Sequence, residues 1–116
     1  MQNVKKLSAH FSVTPQIAPG DIPAIRAAGF KGIICNRPDG EAEGQPAWRD
    51  IEAAARKAGI ETRFLPMTGP VPTDQALAGL IRAVEEIDGA ILAFCRTGTR
   101  SEILWNAVQP LSRAAE

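Results

Sequence analysis

The stretch Cys95-Arg96-Thr97-Gly98-Thr99-Arg100-Ser101 holds the residue types best suited to chemistry. A thiolate is a strong nucleophile, but a free cysteine has a pKa of ~8.5 and ionises at neutral pH only in a positive environment. The apolar run Ala90–Phe94 stops at the cysteine, and an amphipathic run with Ile103, Leu104, Ala107, Val108 and Leu111 follows the arginine. That pattern predicts a buried strand, a polar loop and the start of a helix. Free backbone N–H groups and the helix dipole then converge on the loop, where they bind anions and favour a thiolate. Cys95 is expected to be the nucleophile and Arg100 an anion ligand. Arg96, Thr97, Gly98, Thr99 and Ser101 line the cradle, with Gly98 giving the turn access to positive φ. Arg100 is electrostatically misplaced at a helix start unless an anion joins it there. For Arg96, a solvent-facing charge competes evenly with a substrate contact.

Two thiolate chemistries fit. In phosphoryl transfer the sulfur attacks phosphorus while arginine and amides hold the other oxygens. In sulfur transfer it attacks the outer sulfur of a thiosulfate or persulfide, becomes a persulfide, and hands sulfur to an acceptor thiol. Four residues separate Cys95 from Arg100. Cysteine phosphatases usually have five, whereas rhodanese-type sulfurtransferases have four. Phosphatases also need an acid to protonate the leaving oxygen. The loop Met67–Pro72 has no carboxylate, Asp74 falls in a helical turn, and Asp39 is the other option. Sulfite and thiolates leave without help. The main expectation is therefore a sulfurtransferase acting through a Cys95 persulfide. The alternative is a phosphatase acting through a Cys95 phosphoenzyme, and a third reading is a non-catalytic domain that binds anions or a protein.

The elements that must position this loop follow a strand–helix alternation. Val4–Leu7 and Phe11–Val13 read as an N-terminal hairpin or one edge strand. Asp21 is placed to cap a short helix ending at Gly29. Gly32–Cys35 reads as a buried strand broken by the turn Asn36-Arg37-Pro38-Asp39-Gly40. A helix from Pro46 carries Trp48, Ile51, Ala54, Ala55 and Ala58, and a strand runs from Glu61 to Leu65. Thr73 caps a long helix with an inner face of Leu77, Leu80, Ile81, Val84 and Ile87. The cysteine strand comes next, and Pro110 should end or kink the last helix. The expected fold is a single α/β domain over residues 1–116, with a mostly parallel sheet of four or five strands and helices on both faces. Ligands meet such sheets at the carboxyl ends of the strands. That edge collects Asn36–Gln45, Pro66–Pro72 and the cysteine loop, so Arg37 and Asp39 become possible substrate contacts against a plain turn. Cys35, at a strand end, is read as a core residue before a resolving thiol. His10 is read as a surface residue, and Trp48 and Trp105 as packing residues.

The 116 residues balance 13 basic against 13 acidic side chains, which argues against a nucleic-acid or membrane-surface partner. No apolar run is long enough to span a bilayer. Met1–His10 has no apolar leader core, and two cysteines make no disulfide framework, so a reducing cytoplasm is the expected setting. One histidine and no paired cysteines argue against zinc, and no cofactor is expected. The expected partners are a small-molecule sulfur donor and acceptor, or a phospho-substrate.

The combination Asn36-Arg37-Pro38-Asp39-Gly40-Glu41, Gly44-Gln45-Pro46 and Phe94-Cys95-Arg96-Thr97-Gly98-Thr99-Arg100-Ser101 with Leu104-Trp105 resembles the phosphatase-like domain of the beta-lactamase hydrolase-like family. The resemblance covers nearly the whole chain. It implies a cysteine-phosphatase-like fold, with Cys95 as nucleophile and Arg100 as anion ligand. Members are described both as phosphatases and as sulfurtransferases, some fused to sulfide-oxidising enzymes. Phe94 stands where a histidine commonly precedes the phosphatase cysteine.

Overall fold

The fold is that of a computed structural model describing the backbone of residues 3–115 and the side chains of residues 3–109. Five strands form one sheet: β1 (Lys5–Ser8), β2 (Phe11–Thr14), β3 (Phe30–Cys35), β4 (Glu61–Phe64) and β5 (Ala90–Phe94), in the order β1-β2-β5-β3-β4. β1 and β2 are an antiparallel hairpin, and every other pairing is parallel. Of the two N-terminal possibilities, the hairpin forms. β1 is its exposed edge, but β2 is buried at every position and lies directly beside β5. The cysteine strand is therefore interior, flanked by β2 and β3, which explains its unbroken apolar sequence.

Alternating side chains divide the core in two. Phe11, Val13, Ile34, Ile91 and Ala93 face α3 (Asp74–Glu86) and α4 (Thr99–Ala115), while Ile33, Cys35, Leu92 and Phe94 face α1 (Ile22–Ala27) and α2 (Trp48–Lys57). Trp105 stacks on Phe11 with centroids 4.2 Å apart, and Trp48 packs against Phe64 and Phe94. Both tryptophans are packing residues, as expected.

Several local expectations shift. The inner face of α3 is Ala76, Leu80 and Ala83 continuing to Ile87, while Val84 is exposed. The small alanines let the helix settle close to the sheet, so the larger Leu77 and Ile81 move to the flank. Asp21 does not cap α1 with its side chain; its carboxylate accepts from the Ala18 N–H at 2.8 Å. Thr73 caps α3 as expected, accepting from the Ala76 N–H at 3.0 Å. α4 does not end at Pro110 but continues to Ala115. Proline there lacks the N–H that would bond the carbonyl of Asn106, and Asn106 lies on an exposed face of the helix. Leu111 lies outside the described side chains.

Candidate active site

β5 delivers Cys95 to the carboxyl edge of the sheet, and α4 begins four residues later at Thr99. The loop between them wraps the sulfur. Cys95 is fully buried, and its Sγ accepts from the Gly98 N–H at 3.0 Å. Burial by itself would raise the thiol pKa. The backbone N–H groups of Ser101, Thr97, Arg100 and Gly98 overcome it, and the pKa is lowered. Those donors are the orphan amides of the α4 N-terminus together with the turn before it. Gly98 makes the wrap with φ +95°, and a Cβ there would lie 3.4 Å from the Thr14 carbonyl carbon and oxygen.

The rest of the motif divides by role. Thr97 and Thr99 knit the loop: their hydroxyls share a 3.0 Å bond, and the Thr99 N–H donates to Thr97 Oγ1. The Arg96 side chain is exposed, while its carbonyl accepts from the Gln16 N–H. Ser101 is buried, and its hydroxyl has no hydrogen-bond partner among the described residues. Arg100 donates through Nη1 to Glu41 Oε2 at 2.7 Å and to the Met67 carbonyl at 2.7 Å, and through Nη2 to Glu41 Oε1 at 2.8 Å.

Of the two residues singled out in the neighbouring turn, the structure brings in Arg37. It is buried, donating through Nε to Glu41 Oε1 at 3.0 Å and through Nη1 to Gln16 Oε1 at 3.1 Å. Asp39 is engaged elsewhere: its Oδ1 accepts from the Trp48 N–H at 2.9 Å and caps α2. That external cap explains why α2 starts at Trp48 rather than at Pro46.

Sequence reasoning missed Glu41 and Gln16. Glu41 lies in the stretch Asn36–Gln45 and closes the motif that carries the family resemblance, but beyond its place four residues after Arg37 nothing local marks it as the partner of Arg100. The hydrogen bonds from Arg100 lower its pKa to about 2, against an opposing effect of burial and with further help from Arg37. Gln16 enters because β2 pairs in parallel with β5, which adds a fourth loop to this edge. His10, by contrast, sits at the β1–β2 turn beside the first residues of β5, at the far end of the sheet. Cys35 faces the α1/α2 core, donates to the Arg37 carbonyl at 3.1 Å, and is pushed up to about 12, chiefly by burial.

A family model for the phosphatase-like domain of beta-lactamase hydrolase-like proteins matches residues 3–112. The chain belongs to this family. It is 34% identical over 100 residues to the beta-lactamase hydrolase-like protein of Agrobacterium fabrum, covering 86% of this chain and 23% of that protein. A Xylella fastidiosa protein of the same name is 38% identical over 77 residues, covering 66% of this chain and 18% of the relative. The phosphatase-like domain thus spans less than a quarter of the length of these curated relatives. Among solved structures, a candidate phosphatase from Neisseria meningitidis superposes with a TM-score of 0.78 at 34% identity, over 87% of this chain and 72% of that one. The core catalytic domain of the PP-IP phosphatase SIW14 from S. cerevisiae shares the fold, with a TM-score of 0.70 at 15% identity over 97% of this chain and 67% of its own. These relatives establish a phosphatase-like domain with a cysteine-phosphatase fold. They give no support to the sulfur-transfer reading drawn from the loop spacing. No helix among the described residues is long and apolar enough to cross a membrane.

Proposed function

We propose that this phosphatase-like domain is a cysteine-dependent hydrolase that removes a phosphoryl group whose leaving group needs no protonation. The observation that carries the reading is the Cys95 sulfur, buried beneath four backbone N–H groups that lower its pKa. In this reading the thiolate attacks phosphorus, a sulfur–phosphorus bond forms, and the bond to the leaving oxygen breaks. Loop amides and Arg100 hold the other phosphoryl oxygens. Water then attacks the phosphocysteine, releasing inorganic phosphate and returning the thiolate. Thr97 and Thr99 shape the loop, Ser101 places a hydroxyl beside it, and Arg96 adds positive charge at the rim.

The restriction on the leaving group has its own basis. Glu41 is ionised and gripped by Arg100 and Arg37, and Asp39 caps a helix. Neither is placed to deliver a proton, so aryl phosphates and phosphoanhydrides should react far faster than alkyl esters.

The same missing acid and the four-residue spacing support a second reading, sulfur transfer. There Cys95 attacks the outer sulfur of thiosulfate, the S–S bond breaks, and sulfite leaves with the bonding pair. The Cys95 persulfide then passes its sulfur to an acceptor thiol.

Turnover of p-nitrophenyl phosphate and of an alkyl phosphate, beside mass spectrometry after thiosulfate exposure, separates the two. Aryl-selective turnover that Cys95→Ser abolishes supports the hydrolase. One sulfur added at Cys95 without phosphatase turnover supports the second reading. Activities untouched by Cys95→Ser leave a domain that binds an anion or a protein.

A further inference from the structure

Arg100 has five N–H donors fixed in a plane. Three are taken: both on Nη1, by Glu41 and the Met67 carbonyl, and one on Nη2, by Glu41. Glu41 therefore grips the guanidinium end-on. The two donors without an acceptor among the described residues are Nε–H and the second Nη2–H. They lie together along one side of the plane, the edge that pairs bidentately with an oxyanion. The Arg100 pKa is raised, chiefly by Glu41 and in smaller part by the Cys95 sulfur, so the guanidinium is at the cysteine loop.

Glu41 is itself held. Its Oε1 accepts from the buried Arg37, which is braced by Gln16. Its backbone N–H donates to Gln45 Oε1, and Gln45 Nε2 returns to the Pro38 carbonyl at 2.9 Å, closing the loop on itself. An acidic side chain beside an anion site is electrostatically unfavourable, yet the chain commits a buried arginine to keeping it there.

We propose that Glu41 is a positioning residue: it grips one end of Arg100 so that the free Nε–Nη2 edge faces the oxyanion, while Arg37 and Gln16 hold Glu41 for that task. The inference rests on the Cys95 reading above. It makes Glu41 act through Arg100 rather than on the substrate.

The test compares wild type with Glu41→Gln and Glu41→Asp. Readouts are kcat and KM for p-nitrophenyl phosphate, calorimetric affinity for inorganic phosphate and thiosulfate on a Cys95→Ser background, and the pH profile of Cys95 alkylation. Glu41→Gln is expected to lower kcat by on the order of 10–100-fold, with KM affected much less. Glu41→Asp should recover part of the loss. The alkylation profile should stay put, since backbone amides set it. The sign of the affinity change is decisive. Removing a negative charge would tighten anion binding if charge alone mattered; positioning predicts weaker binding. Glu52→Gln, in the surface pair with Arg56 on α2, should change nothing.

Tighter or unchanged anion binding in Glu41→Gln overturns the proposal, as does failure of the wild-type background to bind either anion. A loss of activity that comes with a shifted alkylation profile also overturns it, since that marks a general collapse of the cysteine loop rather than a misplaced guanidinium. If Cys95→Ser keeps full turnover, the hydrolase reading fails by itself, and the phosphate affinities still decide the role of Glu41.

Discussion

Cys95 and Cys35 end neighbouring parallel strands, yet their surroundings give them opposite chemistry. Around Cys95 the chain turns back, and its amides meet the sulfur. The Cys35 side chain instead sits in a packed core, where its thiol donates to one carbonyl, that of Arg37. Iodoacetamide at neutral pH should therefore modify Cys95 and leave Cys35 untouched until the protein is unfolded in urea. Peptide mapping of the alkylated chain checks this, and a rate profile for Cys95 with a midpoint at the ordinary ~8.5 would count against the thiolate. Arg100→Lys keeps the charge but loses the planar fork. Its kcat should fall by on the order of 100–1,000-fold, as when an oxyanion donor is removed; near wild-type turnover would show that charge alone suffices. Both residues could be chosen from the sequence, because the amides that activate Cys95 lie within six residues of it.

At the scale of elements, the loop after β3 does two jobs with two carboxylates. Asp39 starts α2, and Glu41 reaches Arg100. Asparagine is as good a cap as aspartate, so Asp39→Asn should keep both the Tm and the turnover. Asp39→Ala should lose about 1 kcal/mol of stability in urea titrations, as other lost caps do. A selective fall in alkyl-phosphate turnover in Asp39→Asn would instead mark Asp39 as the missing acid. Gly98→Ala tests the cradle itself. It forces a side chain into positive φ against the Thr14 backbone, and Cys95 alkylation should become slower at neutral pH as the Gly98 N–H moves away from the sulfur. Strands and helices were legible here because each buries a periodic face. The exact stripe on α3 was not, since alanine carries too little hydrophobic signal to reveal that it faces the sheet.

Across the whole molecule, Glu41 links the loop after β3 to α4 and, through Arg100, to the Met67 segment after β4. Its pKa of about 2, against an ordinary 4.5, means that the fold favours the ionised form. The stability it supplies is full above about pH 4.5 and drains away as pH falls toward 2. Glu41→Gln should thus lower the urea midpoint at pH 7, and the gap to wild type should shrink between roughly pH 5 and pH 3. A gap independent of pH would show that these ion pairs do not tie the loops together. Binding of inorganic phosphate should raise the wild-type Tm, through preferential binding to the folded state, and should not do so in Arg100→Ala.

From its sequence alone, this chain could be read for the strand–loop–helix around Cys95, the alternating order that makes a parallel sheet, and the family resemblance. Those features are local or periodic, so spacing along the chain reveals them. The place of β2 beside β5 and the partner of Arg100 could not be read in that way. Glu41 and Arg100 are 59 positions apart, and one carboxylate among 13 acidic residues carries no local mark of the arginine it will meet. Which loops share the carboxyl edge depends on strand order, and strand order is set by how the two cores pack.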